Sequence, residues 1–197
     1  MRPFRLMALL AVGGLAVLTL GCGDDEPATH TTDQLLGALL TVDDVAYIPG
    51  VDSVEENTRA VVENPTPPWE NTLDPYLCTE AGTPMVLTLP QAQLELTGVS
   101  VMETLVPSKD AEGLYSELDA AYQACGEDSS LAYEPVAGVP SVGDESASYR
   151  SELGVVTIAR FGTDLMVLKW MVGDYWDQAG EYYEQMVTTA AKHVTDL

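Results

Sequence analysis

Val155-Val156-Thr157-Ile158-Ala159 and Leu165-Met166-Val167-Leu168-Lys169-Trp170-Met171-Val172 are two nearly continuous apolar runs joined by a turn at Gly162-Thr163. They read as a strand pair. The first strand extends back to Ala147 and forward to Phe161, with a break near Gly154, and the second covers Asp164 to Val172. Strands that are apolar on both faces are usually covered on both faces, so helices are expected on each side of this pair. Lys169 interrupts the apolar pattern. Its ammonium either reaches the rim of the sheet or lines a cleft.

Two helices flank the pair in sequence. Ser108, after Pro107, suits an N-cap, and Asp110 and Glu112 suit the positive end of a helix dipole. Leu114, Leu118, Ala121, Tyr122 and Cys125 follow at helical spacing, and Gly126 suits the C-cap. The last helix spans about Asp177 to Val194. Its apolar stripe is Ala179, Tyr183, Met186, Val187, Ala190 and Val194. Lys192 and His193 fall in its final turn, where positive charge suits the dipole.

Toward the N-terminus, Asp33 to Ala46 reads as a helix in two pieces. Leu35, Leu36, Leu39 and Leu40 form the apolar face of the first. Thr41 and Asp44 are spaced as a capping box for the second, with Leu40 and Val45 as its hydrophobic staple, and Pro49-Gly50 ends the unit. Residues 51–76 read as a long irregular loop holding Pro65, Pro67, Pro68, Pro75 and Trp69. A strand over Met85 to Leu89 stops at Pro90. A longer strand runs from Gln93 to about Val106, and its alternation changes phase at Gly98, which points to a bulge or bend. Residues 127–146 read as loop. The expected class is α+β: an antiparallel β-sheet with helices packed on its faces, an α/β sandwich with one disulfide.

The first 22 residues address the chain. Arg2 and Arg5 precede an uncharged run from Leu6 to Leu20, which is shorter than the roughly 20 residues of a spanning helix and contains Gly13-Gly14. Leu18-Thr19-Leu20-Gly21-Cys22 then reads as a lipoprotein processing site. Residues 1–21 form the signal peptide, and Cys22 is the lipidated first residue of the mature protein. Two acyl chains suffice for stable anchoring. Residues 22–32 read as a flexible acidic tether, with His30 solvated in it. The domain occupies 33–197. The expected location is the cell membrane, on its extracytoplasmic face, held through the lipid.

Removing the signal takes away two arginines and no acid, so the net charge moves from −23 to −25. Such a charge argues against nucleic acid as a partner and against lying flat on anionic lipid. No acid cluster has the alternating spacing and glycine of a calcium loop. With Cys22 lipidated, Cys78 and Cys125 remain. An exported setting favours their oxidation, and Cys125 lies on the buried helical stripe where Cys78 can meet it. A bond between them would be worth about 4 kcal/mol in the loop-entropy model. A free reactive pair is the other reading. His30 and His193 are the only histidines, so no zinc set exists and no metal or cofactor is expected. No nucleophile motif or phosphate loop is present, so no catalytic residues are assigned and the chain reads as a non-enzyme.

Aromatic residues supply the binding candidates. Trp69, Trp170, Tyr175 and Trp176, with Lys169, are the speculative ligand-binding set, beside Tyr182 and Tyr183. Taken singly, each also suits packing over the core.

Leu39-Leu40-Thr41-Val42-Asp43-Asp44-Val45, Leu77-Cys78 and Ala121-Tyr122-Gln123-Ala124-Cys125, with the C-terminal strand pair and helix, resemble the extracellular sensor domain of the mycobacterial receptor kinase PknH and related actinobacterial lipoproteins. The likeness covers about residues 33–197. It implies an antiparallel sheet with packed helices and a ligand cleft. That family usually has a second disulfide, for which this chain has no cysteines, and no kinase part is present here. Function is therefore expected to be sensor-like ligand binding at the surface. The alternative is protein interaction in envelope assembly. The partner is accordingly a small ligand or an envelope protein.

Overall fold

The computed structural model describes residues 29–49, 53–62, 89–124, 133–152, 154–171 and 176–197. Its strands are β1 (Glu55–Val62), β2 (Gln91–Thr97), β3 (Val101–Pro107), β4 (Glu134–Pro135), β5 (Glu145–Ser151), β6 (Gly154–Phe161) and β7 (Asp164–Trp170). Its helices are α1 (Thr32–Ala38), α2 (Val42–Val45), α3 (Ala111–Ala124) and α4 (Trp176–Thr195). All seven strands join one sheet in the order β1-β2-β3-β7-β6-β5-β4, and every neighbouring pair is antiparallel. The α+β class and the antiparallel sheet expected from the sequence are both present.

Helices cover both faces. One layer packs Leu35, Leu39, Leu40 and Val45 from α1, α2 and the turn between them, and Tyr183, Met186, Val187, Ala190 and Val194 from α4, onto Leu94, Leu105, Met166, Leu168 and Trp170. The other packs Leu118, Ala121 and Tyr122 of α3 onto Val156, Ile158, Leu165 and Val167. Alternate residues of β6 and β7 therefore feed two separate cores, which is why both runs are apolar almost without interruption. Each fully buried aliphatic side chain in these layers contributes about 1.5–3 kcal/mol of transfer free energy.

Several boundaries differ from the sequence reading, each for a local reason. The break near Gly154 is a complete reversal, and β5 and β6 form a hairpin with Ser151 opposite Gly154. Gly98 likewise marks a hairpin and not a bulge: Leu96 pairs with Val101 across it. Its φ is +84°, and a Cβ there would lie 2.1 Å from the Ser53 carbonyl oxygen, so only glycine fits. The phase of the alternation changes because the chain passes into a new strand.

β1 lies inside the stretch expected to be irregular. Glu55, Glu56, Asn57 and Arg59 disguise it, and polar residues are what an edge strand tolerates. Asp110, not Ser108, caps α3: its Oδ1 accepts from Gly113 N–H at 3.2 Å, while the Ser108 hydroxyl accepts from Asp110 N–H at 3.2 Å. The Thr41–Asp44 arrangement is present, with Asp44 Oδ2 accepting from Thr41 N–H at 2.7 Å.

The folded unit also starts earlier than residue 33. Thr31 caps α1 through its side chain, and His30 Nδ1 lies 2.5 Å from Asp164 Oδ2. His30 is therefore docked on the end of β7, not solvated in a tether. Cys22, Cys78, Cys125 and the strand expected over Met85 to Leu89, apart from Leu89, lie outside the described residues.

Candidate binding site

Strand register sets a row of residues, several of them polar, across one face of the sheet. On the face covered by α1, α2 and α4, Ser148, Thr157, Leu168, Glu103, Leu94 and Arg59 sit side by side on β5, β6, β7, β3, β2 and β1. At one end, Ser148 Oγ and Thr157 Oγ1 are 2.8 Å apart. The Tyr183 hydroxyl of α4 lies 2.9 Å from Thr157 Oγ1 and donates to the Leu168 carbonyl at 2.9 Å. Burial raises the Tyr183 pKa, so this phenol stays protonated as a donor.

At the other end, Arg59 reaches under the turn between α1 and α2. Its guanidinium donates to the carbonyls of Leu36, at 3.1 Å, and Leu40, and pairs with Glu56 at 2.8 Å. Glu103 lies between the two ends with no exposed surface. Its Oε2 accepts from Leu40 N–H at 2.7 Å, and among the described residues Oε1 has no partner. Desolvation pushes its carboxyl up to about 8, against the smaller opposing effects of the Leu40 hydrogen bond and the Arg59 charge. Glu103 thus clamps the α1–α2 turn mainly as a neutral acid near pH 7.

On the opposite face of the same strands, Gln91, Gln93, Thr104 and Lys169 are all buried. Neither polar atom of the Gln91 amide has a partner among the described residues, nor does the Gln93 amide nitrogen.

The open concavity lies at the other edge of the sheet. β4 covers only Tyr149 and Arg150 of β5, and Val136 N–H then donates to the Ser148 carbonyl at 2.9 Å. Past that bond the chain leaves the edge, and Val136, Val139 and Val142 turn in to pack on the α4-side core. This departure opens a groove of about 250 Å³. Pro135, Val136, Val139 and Pro140 form one wall, and Ser146, Ala147, Ser148 and Tyr149 of β5 the other. Tyr149 is firmly held from below: its ring stacks on Tyr122 at 5.2 Å, and its hydroxyl donates to Asp119 of α3. Outward backbone groups recur at every second residue of a strand, so Ser146 shares the direction of Ser148. No described backbone group pairs with the Ser148 N–H or with the Ser146 N–H and C=O on this edge.

Of the ligand-binding set singled out from sequence, the two whose side chains are described, Lys169 and Trp170, do not converge. Trp170 is 5% exposed and stacks on Tyr183 at 6.2 Å inside the α4-side core, so it is a packing residue. Lys169, its neighbour, points to the opposite face between Met102 and Val156, and is buried there. Adjacent residues of an inner strand point to opposite layers, so these two do not line one cleft. Trp69, Tyr175 and the side chain of Trp176 lie outside the described residues. His193, beyond its place in the helix dipole, lies 3.8 Å from Asp44. The groove straddles the stretch that reads as loop, 127–146, and the start of the strand expected from Ala147, and its signal is the recurring Pro135, Gly138, Pro140 and Gly143 beside the alternating Ser146 and Ser148.

Among the described residues no helix is long and apolar enough to cross a membrane, and no group of acids, histidines or cysteines has the arrangement of a metal site. No protein-family model matches the chain, and neither a curated protein nor a solved structure is similar to it.

Proposed function

We propose that this protein is a lipoprotein anchored through Cys22 on the outer side of the membrane, carrying a non-catalytic, sensor-like binding domain. The groove at the β4–β5 edge carries the binding half of this reading. It is open, it is lined by uncharged residues, and its floor presents backbone groups without a partner among the described residues. The arginine-led apolar segment ending at Gly21-Cys22 supports the anchor, and the resemblance to receptor-kinase sensor domains supports binding over catalysis. In the same reading Cys78 and Cys125 are oxidised to each other, and no cofactor or nucleic acid takes part.

Envelope assembly through a protein partner is the second reading. It is favoured by the groove's being open along the sheet edge and smaller than the 300–1,000 Å³ typical of enclosed small-molecule sites. Intact mass measurement of protein purified from its own envelope tests the anchor and the thiols together. The expected product starts at a diacylated Cys22 and gains no mass from a thiol-alkylating reagent before reduction. An unacylated start at another residue overturns the location. Alkylation without reduction overturns the disulfide.

A further inference from the structure

We infer that the β4–β5 groove takes an extended, positively charged polypeptide segment, which continues the sheet past the two residues of β4. The inference rests on the binding role proposed for this groove and names the class of its ligand.

Three observations converge on it. The first is backbone chemistry. From Ser148 toward Glu145 the outer edge of β5 has donors and an acceptor spaced as in a sheet ladder, and β4 has already set the antiparallel direction. An open edge of this kind is a template for an added strand.

The second is the shape of the walls. At about 250 Å³ the groove is too small to enclose a typical metabolite, yet it is open along its length. An added strand needs only room for its backbone and for alternate side chains. Val136 and Val139 offer an apolar wall to one of those side chains, and Ala147 leaves space on the opposite side. Ser146 Oγ is already engaged, accepting from Val142 N–H at 3.0 Å, and Ser148 Oγ is engaged with Thr157. What remains without a partner among the described residues is backbone, so recognition falls on a ligand that has a backbone.

The third is charge. The rim carries Glu134, Asp144 and Glu145, all exposed, against Arg150 and Arg160. Arg160 is committed to Asp144 at 3.2 Å and Glu145 at 3.3 Å. The rim keeps a negative excess within a chain whose net charge is −23. Such a field speeds association with cations and disfavours acidic segments.

The test is titration of the full-length ¹⁵N-labelled protein, in neutral detergent, with a capped hexapeptide alternating lysine and valine. Expected are amide shifts concentrated at Ser146 and Ser148, and an affinity that falls several-fold as salt is raised through the screening range. The same peptide N-methylated on alternate residues keeps its charge and side chains but loses its ladder donors. It should bind at least tenfold more weakly. Equal binding of the two peptides overturns strand addition and leaves only charge attraction. Equal binding of a glutamate–valine peptide overturns the charge preference. A panel of neutral sugars and amino acids separates this inference from the broader reading: shifts at Ser146 and Ser148 with those compounds but not with the peptide sink the peptide class alone, whereas no shift with either sinks the groove as a site. A Ser148→Pro protein lacks the outward N–H and also the Oγ bond to Thr157, so it should lose peptide binding and unfold at a lower temperature, and the N-methylated peptide on the unaltered protein remains the deciding comparison.

Discussion

The two halves of the sheet differ in construction. In β6 and β7 the residues between Val155 and Trp170 that face a core are almost all apolar, because α4 lies on one side and α3 on the other. In β2 and β3 the same degree of burial is given to Gln91, Gln93, Glu103 and Thr104. The first half is stabilised by transfer of apolar surface and close packing. In the second, part of the burial is offset by desolvation of polar groups, only some of which are rebonded. Continuous apolar runs thus mark where helices seal both faces, and buried polar groups mark where the fold depends on protonation and specific partners.

The largest expected effect breaks the sealed half. Leu168 has no exposed surface and lies under Tyr183 in the α4-side core. Leu168→Ala should destabilise the domain by about 4 kcal/mol, within the 2–5 kcal/mol range of buried leucine truncations, read from the denaturant midpoint. A loss below 1 kcal/mol would mean that α4 does not seal this face.

A somewhat smaller effect, and one with a pH signature, sharpens the other half. Glu103 titrates near its usual 4.5 when unfolded and near 8 when folded. Between those values the folded protein holds a proton that the unfolded chain has released. Stability must therefore fall as pH rises through this window and level off above it. Glu103→Gln removes that contribution while keeping an acceptor for Leu40 N–H. The variant should gain on the wild type by about 3 kcal/mol between pH 5 and pH 8. Asp164, also raised by burial, acts with the same sign and stays in both proteins, so the difference isolates Glu103. Parallel pH profiles would show that Glu103 is hydrated, and the contrast between the halves would collapse.

The same contrast explains what could be read from residues alone. β6, β7 and α4 were legible because burial on two faces leaves an unbroken apolar signature, and α3 because its stripe has helical period. The α2 cap was legible because Thr41 and Asp44 have a spacing that means little else. β1 was hidden because an edge strand carries charge, as Glu55, Glu56 and Arg59 do, and composition alone then resembles loop. The two hairpins at Gly98 and Gly154 were read as a bend and a break, since a phase change does not say whether the chain reverses. The groove was the least legible feature. It is made of backbone groups that no described backbone group meets where Val136 turns inward, and residue type does not encode which amides lack a ladder partner. Trp170 stands out in the sequence as one of a group of aromatics and Lys169 as an interruption of an apolar run, and strand geometry sends the two to opposite faces.

The smallest effect concerns how α3 is hung on the sealed half. Ser108 N–H donates to the Thr163 carbonyl at 2.8 Å, tying the start of the helix to the β6–β7 turn, and Asp110 then caps it. Asp110→Ala removes both the acceptor for Gly113 N–H and a negative charge at the positive end of the helix dipole. It should cost about 1 kcal/mol. Asp110→Asn keeps the acceptor and should cost only a few tenths. If the two substitutions cost the same, charge is the whole effect and the cap geometry adds nothing. If neither costs anything, the first turn of α3 is held by the Ser108–Thr163 bond alone, and the N-terminal anchoring of the helix belongs to the sheet and not to the helix's own sequence.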